Sequence, residues 1–214
     1  MCWNENVSLN TFAFSIFVLL LIIYNNSCTQ YKIQELNNLW VYIFIASFIF
    51  IQLAEFFIWR NIDNKYYNNL FSIIATSILI AQPAFSIMIL TEEKLRNILL
   101  ISYLFLAVPY SIYKFYTKRI YSAVSKTGHL KWKYFDNPPI VILAWLFFFL
   151  FSFVYEKMWV GFGFGCILLF ISFLNYKNDT TMWSMWCWSV NSIMIYYAFY
   201  LLIVLPFYEK GDVC

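Results

Sequence analysis

Seven stretches of the chain, at 9–24, 39–59, 70–90, 98–116, 139–155, 159–176 and 181–207, are built almost wholly from apolar and aromatic residues. A bilayer core about 30 Å thick needs about 20 such residues per helical crossing, so stretches of this length specify transmembrane helices before any other feature is weighed. A backbone in hydrocarbon must satisfy its own N–H and C=O groups. The alternative to helices, a closed barrel, needs short strands of strictly alternating polarity, which these runs lack. The expected fold is all-α: a single transmembrane domain over 1–214, a polytopic bundle of about seven spans with a short basic β-hairpin-like loop after the fourth. Six spans with one re-entrant hairpin also fit, because only Glu156, Lys157 and a Met separate the fifth stretch from the sixth.

Composition leaves no room for a soluble domain, since 63% of the 214 residues are hydrophobic, 12% are charged and the mean hydropathy is +0.68. The first stretch has neither a basic segment before it nor a small-residue cleavage site after it, so it is expected to stay as a span. In the seven-span arrangement, nine of the fourteen Lys and Arg residues lie on the side of the N-terminus, six of them in the loop after span four. That bias places the N-terminus in the cytoplasm. Five cysteines carry no C-x-x-C spacing, and free thiols are the expected state; Cys28 and Cys214, on one side, could pair if that side is oxidising. The sequons at Asn6, Asn25 and Asn178 cannot all be used, because Asn25 falls on the opposite side from the other two.

Polar side chains inside spans are costly, so they mark the bundle interior or a watery cavity. Gln52, Glu55 and Trp59 are spaced three and four apart and share one helix face. Span three carries Ser72, Ala75, Leu79, Gln82 and Ser86 as one stripe, with Thr76 beside it and Pro83 loosening the ladder near Leu79. Span four contributes Pro109, Tyr110, Ser111 and Tyr113; span one contributes Ser8, Thr11 and Ser15. The last span begins TMWSMWCWSVNS, where Ser184, Trp188 and Asn191 line one face and Cys187 borders it. In alternating spans most of these groups fall in the half nearest the N-terminus, which predicts a polar vestibule on that side with Glu55 at its floor and aromatic rings on its walls. A carboxylate beside aromatic faces suits an organic cation, through charge and the ring quadrupole. The bland alternative is an interfacial anchor in which Glu55, Trp59 and Arg60 reach headgroup water; Gln52, one turn deeper on the same face, favours burial.

Gly161 and Gly165 on span six have the small-xxx-small spacing that lets another helix approach closely, within the bundle or in a homo-oligomer. Spans five and six, rich in Phe, are expected to face lipid or another protomer. The loop 114–138 sets Lys114, Lys118, Arg119, Lys126, Lys131 and Lys133 against a single acid, Asp136. Its segments YSAVSK and HLKWKYF read as a hairpin about Thr127 and Gly128, lying on anionic headgroups or covering the vestibule as a lid.

Absences narrow the function. All eleven lysines lie in loops or at span ends, so no interior amine is available for a retinal Schiff base, and no cofactor is expected. The single histidine, His129, cannot build a multi-His zinc site, so no metal site is expected. No P-loop, G-x-G-x-x-G or intramembrane Ser/His/Asp set is present, and nucleic acid is not an expected partner.

The Met1-Cys2 start followed by Ser8, the Q-x-x-E-x-x-x-W of Gln52, Glu55 and Trp59, and the SMWCW of 184–188 together resemble an uncharacterised family of small seven-helix membrane proteins of giant DNA viruses and bacteria. Trp3 stands where the bacterial members carry Phe. The resemblance spans the chain and implies that Cys2, Glu55 and Cys187 belong to one site. Richness in Asn, Ile, Lys, Tyr and Phe suits an AT-rich genome, viral or protist.

The expected activity is binding or translocation of a small cation or proton at Glu55. Gln52, Ser184 and Asn191 are the polar partners, Trp59 and Trp188 the walls, with Cys187 and Cys2 beside them. Catalytic residues are not expected in this scheme. Two alternatives stand beside it: a membrane-embedded enzyme acting on a lipid or thiol through Cys2 or Cys187, and a non-catalytic oligomeric scaffold or sensor. Membrane lipids and the small cation or molecule are the expected partners.

Overall fold

A computed structural model describes residues 4–29, 32–135, 137–177 and 181–208. Helices dominate: α1 (Glu5–Cys28), α2 (Leu39–Arg60), α3 (Lys65–Ile87), α4 (Glu93–Thr117), α5 (Pro139–Tyr155), α6 (Trp159–Tyr176), α7 (Met182–Val190), α8 (Ile193–Phe199) and α9 (Leu205–Tyr208). Six segments are long and apolar enough to cross a membrane: α1, α2, α3, α4, α6, and the run Met182–Phe207. Helix α5, at 17 residues, is apolar but shorter.

Asparagine supplies three of the N-caps. Asn4 accepts from the Val7 amide at 2.9 Å, Asn38 from the Trp40 amide at 2.8 Å, and Asn64 from the Tyr66 amide at 3.1 Å. Each caps an N–H that the first helical turn leaves without a carbonyl. Helices α1 and α3 start before the apolar runs that announce them, because a capped polar turn extends a helix beyond its hydrophobic segment.

Helix α1 packs on α2, α2 on α3, α3 on α5, and α6 on α7, with α8 returning to α1. Side-chain bonds define two ends of the bundle. At one, Trp188 of α7 donates to Thr11 of α1, and the loop after α4 is bound to the first turns of α3 and α7. At the other, Asn26 of α1 bonds Ile33 and Tyr42, while Glu156 accepts from Thr91.

The proline in α3 is answered from two neighbouring helices. Pro83 has no N–H to offer Leu79, four residues back; Trp145 Nε1 donates to the Leu79 carbonyl at 3.0 Å, and the Tyr103 hydroxyl donates to the Ile80 carbonyl at 2.5 Å. Trp145 stacks on Phe149 and meets Trp186 and Phe135 edge-on, so α5 is an inner element of the aromatic core. This corrects the expectation that span five faces outward. Helix α6 does face outward: among its described residues only Ser172 is buried.

The last span is not one helix. After α7 the chain makes a tight turn at Asn191 and Ser192, continues as α8, and then widens into a π turn at Tyr200–Val204 ahead of Pro206. Asn191 Nδ2 donates to the Cys187 carbonyl at 2.8 Å and Ser192 Oγ to the Ser189 carbonyl at 2.6 Å, covering backbone oxygens at the break.

Strands β1 (Ser122–Val124) and β2 (Leu130–Trp132) pair antiparallel with Ala123 opposite Lys131. Gly128, at φ 80°, supplies the left-handed residue of their turn. The hairpin is sunk into the bundle end rather than laid upon it: Leu130 and Ser122 are buried, and so are Trp132, Tyr134 and Phe135 just beyond.

Candidate functional site

Glu55 is 0% exposed, as is Gln52 one turn before it on α2. The stripe inferred from spacing is thus an interior stripe, and the interfacial-anchor alternative fails for both residues. Trp59, the third member, is only partly buried, but its indole nitrogen is enclosed. Cys187 of α7 is 1% exposed and close enough for the Glu55 carboxylate to act on its thiol through space. Helices α2 and α7 pack on each other, which brings the acid of one and the cysteine of the other together from positions 132 residues apart.

The remaining predicted residues divide into two groups. Asn191 and Trp188 flank Cys187 on α7, but both are engaged: Asn191 with the Cys187 carbonyl, and Trp188 Nε1 with Thr11 Oγ1 at 3.0 Å. The Ser184 hydroxyl donates to the Leu130 carbonyl at 2.7 Å and bolts the hairpin to α7. Cys2 and Trp3 lie outside the described residues, as do Asp136, Asn178 and Cys214.

The expected open vestibule is not what the hairpin end of the bundle contains. Asn68 holds β1 with a pair of bonds, Nδ2 to the Ser122 carbonyl at 3.0 Å and Oδ1 from the Ser122 amide at 2.9 Å. Ser72 Oγ lies 2.9 Å from Ser122 Oγ, and Asn69 Nδ2 reaches the Ile120 carbonyl. The first turns of the span-three stripe therefore hold a plug in place. Tyr113, placed in the vestibule by its spacing, is 62% exposed and faces outward. Buried polar groups also reach the opposite end, at Ser47, Gln82, Ser86 and Ser152, so their distribution is less lopsided than the sequence implies.

Several of these interior groups have no hydrogen-bond partner among the described residues: both amide atoms of Gln52 and of Gln82, and the hydroxyls of Ser8 and Ser15. An unpaired buried amide or hydroxyl costs about 1–3 kcal/mol, so a run of them on α1, α2 and α3 is a feature that stability alone does not favour. Among the described residues no group of three or more His, Cys, Asp or Glu side chains is placed to hold a metal ion.

Family models, curated proteins and solved structures give no match to this chain.

The sequence reading missed the anchoring role of Asn68 and Asn69. A signal was available: a capped helix needs one asparagine, and this one begins with Asn64, Asn68 and Asn69 within six residues. It also missed the break at Asn191, because the apolar run continues through it without Gly or Pro.

Proposed function

We propose that the chain is a multi-pass membrane protein of about seven spans that binds a proton or small cation at Glu55 and passes it on, with its N-terminus in the cytoplasm. The observation that carries this reading is the complete burial of Glu55 within electrostatic reach of Cys187, one turn before the last span breaks at Asn191. An ionised acid inside a bilayer costs about 3 kcal/mol, a cost that a proton or cation at the carboxylate offsets. Interrupted helices with a π turn recur where membrane proteins hold ions, since they leave backbone groups that a straight helix would consume.

In this scheme Gln52 offers an amide to the same ion, and Trp59 and Trp188 wall it. Ser8 and Ser15 on α1 are further hydroxyls for a proton or a water to use. The kinship with the viral and bacterial family, which adds Cys2 to the site, belongs to the proposal. The test is flux into proteoliposomes under a potassium diffusion potential, read by an internal pH dye or a sodium indicator. Glu55→Gln is expected to lower the flux at least tenfold; equal flux in the two proteins would overturn the assignment.

A second reading, an enzyme working on a lipid or thiol, draws on Cys187 lying within electrostatic reach of Glu55, since a carboxylate brought against a thiol can take up its proton. Faster labelling of Cys187 than of Cys28 by a membrane-permeant thiol probe, and its slowing in Glu55→Gln, are what that reading expects.

A further inference from the structure

A cavity of about 80 Å³ lies between α2, α5, α6 and the two halves of the broken last span. Gln52, Glu55, Trp59, Cys187 and Trp188 all lie outside its lining, so it is distinct from the proposed ion site. Glycines on α6 help to leave it open. Gly161 and Gly165 both line it, and a Cβ placed on Gly165 meets nothing within 4 Å. Trp186 of α7 bonds across to α6, its indole N–H donating to the Gly165 carbonyl at 3.0 Å, which fixes how close the two helices come. Val41, Phe44 and Phe48 of α2 also line it, carrying the space about 10 Å inward from the turn between α1 and α2.

Its lining joins aromatic rings to an acid. Phe44 is tilted at 52° to Phe149 and at 57° to Phe153, with centroids 5.2 and 5.1 Å apart, and Phe48 stands edge-on to Trp186. Rings set at angles around a space are the material of an aromatic cage, whose electron-rich faces attract positive charge. At the outer end stands Glu35, exposed on its other side, whose carboxylate has no hydrogen bond or ion pair among the described residues. It lies within electrostatic reach of Tyr197, which is 4% exposed and whose hydroxyl is likewise without a hydrogen bond among the described residues. Asn191, also 4% exposed, spends its Nδ2 on the Cys187 carbonyl, while its Oδ1 accepts from no described residue. Among the described residues no Lys or Arg lines the space. The cavity thus offers ring faces and oxygen acceptors with no cation of its own.

We propose that this cavity binds a small organic ammonium ion, its charge set between the Glu35 carboxylate and the rings of Phe44, Phe153 and Tyr197, with its alkyl part directed inward. Size and charge select the occupant. Sites for drug-sized molecules run to about 300–1,000 Å³, several times this volume. A hard divalent cation takes about six to eight oxygens, and the lining side chains supply oxygen only from Glu35, Tyr197 and Asn191. A neutral hydrocarbon leaves the acid unused.

The test is calorimetric titration of the full chain in maltoside detergent with choline and with its neutral analogue, in which a carbon replaces the nitrogen. Choline is expected to bind about tenfold more tightly than the analogue, a comparison that needs no variant. Glu35→Gln, in an exposed turn, should weaken choline about fivefold and leave the analogue as it was. Phe44→Leu and Phe153→Leu, which keep an apolar side chain and lose the ring, should each weaken choline about threefold with the analogue again unaffected. Equal affinity for the two compounds, or choline binding that Glu35→Gln leaves unchanged, would overturn the site. A chain that takes up short-chain phosphatidylcholine but not choline would overturn it as well, since the cation held would then be a lipid headgroup. The titration reads binding alone and does not depend on flux through Glu55.

Discussion

Trp145 donates its indole N–H, at 3.0 Å, to the carbonyl of Leu79, the one backbone oxygen that Pro83 deprives of its helical donor. A proline kink buried in the bundle is tolerable only where another group takes over the orphaned carbonyl, and here a helix 66 positions away supplies it. Trp145→Phe keeps an aromatic ring, a smaller one, and loses the donor. It is expected to destabilise the protein by about 1–3 kcal/mol, measured as thermal unfolding in detergent. With Pro83→Ala in place Leu79 regains an amide, and the same substitution should cost clearly less. Equal costs in the two backgrounds would mean the bond does not compensate the proline.

The hairpin is held by a small set of bonds, and Asn68 makes two of them, to the Ser122 carbonyl and from the Ser122 amide. Asn68→Ala should free β1 and expose the turn. Limited trypsin digestion after Lys126, which is already exposed, is expected to speed up at least fivefold relative to the parent, with helical circular dichroism unchanged. An unaltered cleavage rate would show that Ser184 and the buried aromatics hold the hairpin without Asn68.

Two glycines of α6 separate packing inside the bundle from packing outside it. A Cβ on Gly161 would sit 3.3 Å from Phe153 Cε1, whereas one on Gly163 meets nothing within 4 Å. Gly161→Leu should therefore lower stability by about 1–3 kcal/mol through overpacking against α5. Gly163→Leu, on the open face, should be neutral or slightly stabilising as a better helix former. If Gly163→Leu instead changes the mass of the detergent complex by light scattering, that face is an oligomer contact.

Glu35, exposed in the short 3₁₀ turn Gln34–Leu36 between α1 and α2 but partly desolvated by its neighbours, has its carboxyl pushed above its ordinary value of 4.5. The folded chain then holds this proton more tightly than the unfolded chain. The contribution is greatest at low pH and is lost as pH rises from 4.5 through the raised folded value. Thermal unfolding should show a shallow decline over that window, absent in Glu35→Gln. A parent whose stability climbs over the same window by more than the variant's would reverse the sign and remove the effect.

Much of the bundle is legible from residue type and spacing. The 3.6-residue period put Gln52 and Glu55 on one face, and the same period put Ser72, Ala75, Leu79, Gln82 and Ser86 on another; all seven are buried. Gly128 within an alternating basic stretch gave away the hairpin. Spacing says which residues share a face, but not what that face meets. The N-terminal part of the span-three stripe looked like the lining of a vestibule and is instead the socket for β1. Ser184, on a face with Trp188 and Asn191, bonds the Leu130 carbonyl of the hairpin.

The amino-acid order alone determined that this chain forms apolar helices of membrane-crossing length, because hydrocarbon demands an internally bonded backbone and about 20 apolar residues per crossing. It also determined that Gln52 and Glu55 lie on a common face. Only the tertiary structure decided that Glu55 comes within electrostatic reach of Cys187, that Trp145 repairs the gap left by Pro83, and that the last helix breaks at Asn191. Each depends on which helices become neighbours, and that choice arises from packing and hydrogen bonds between positions far apart in the chain, which local periodicity does not encode.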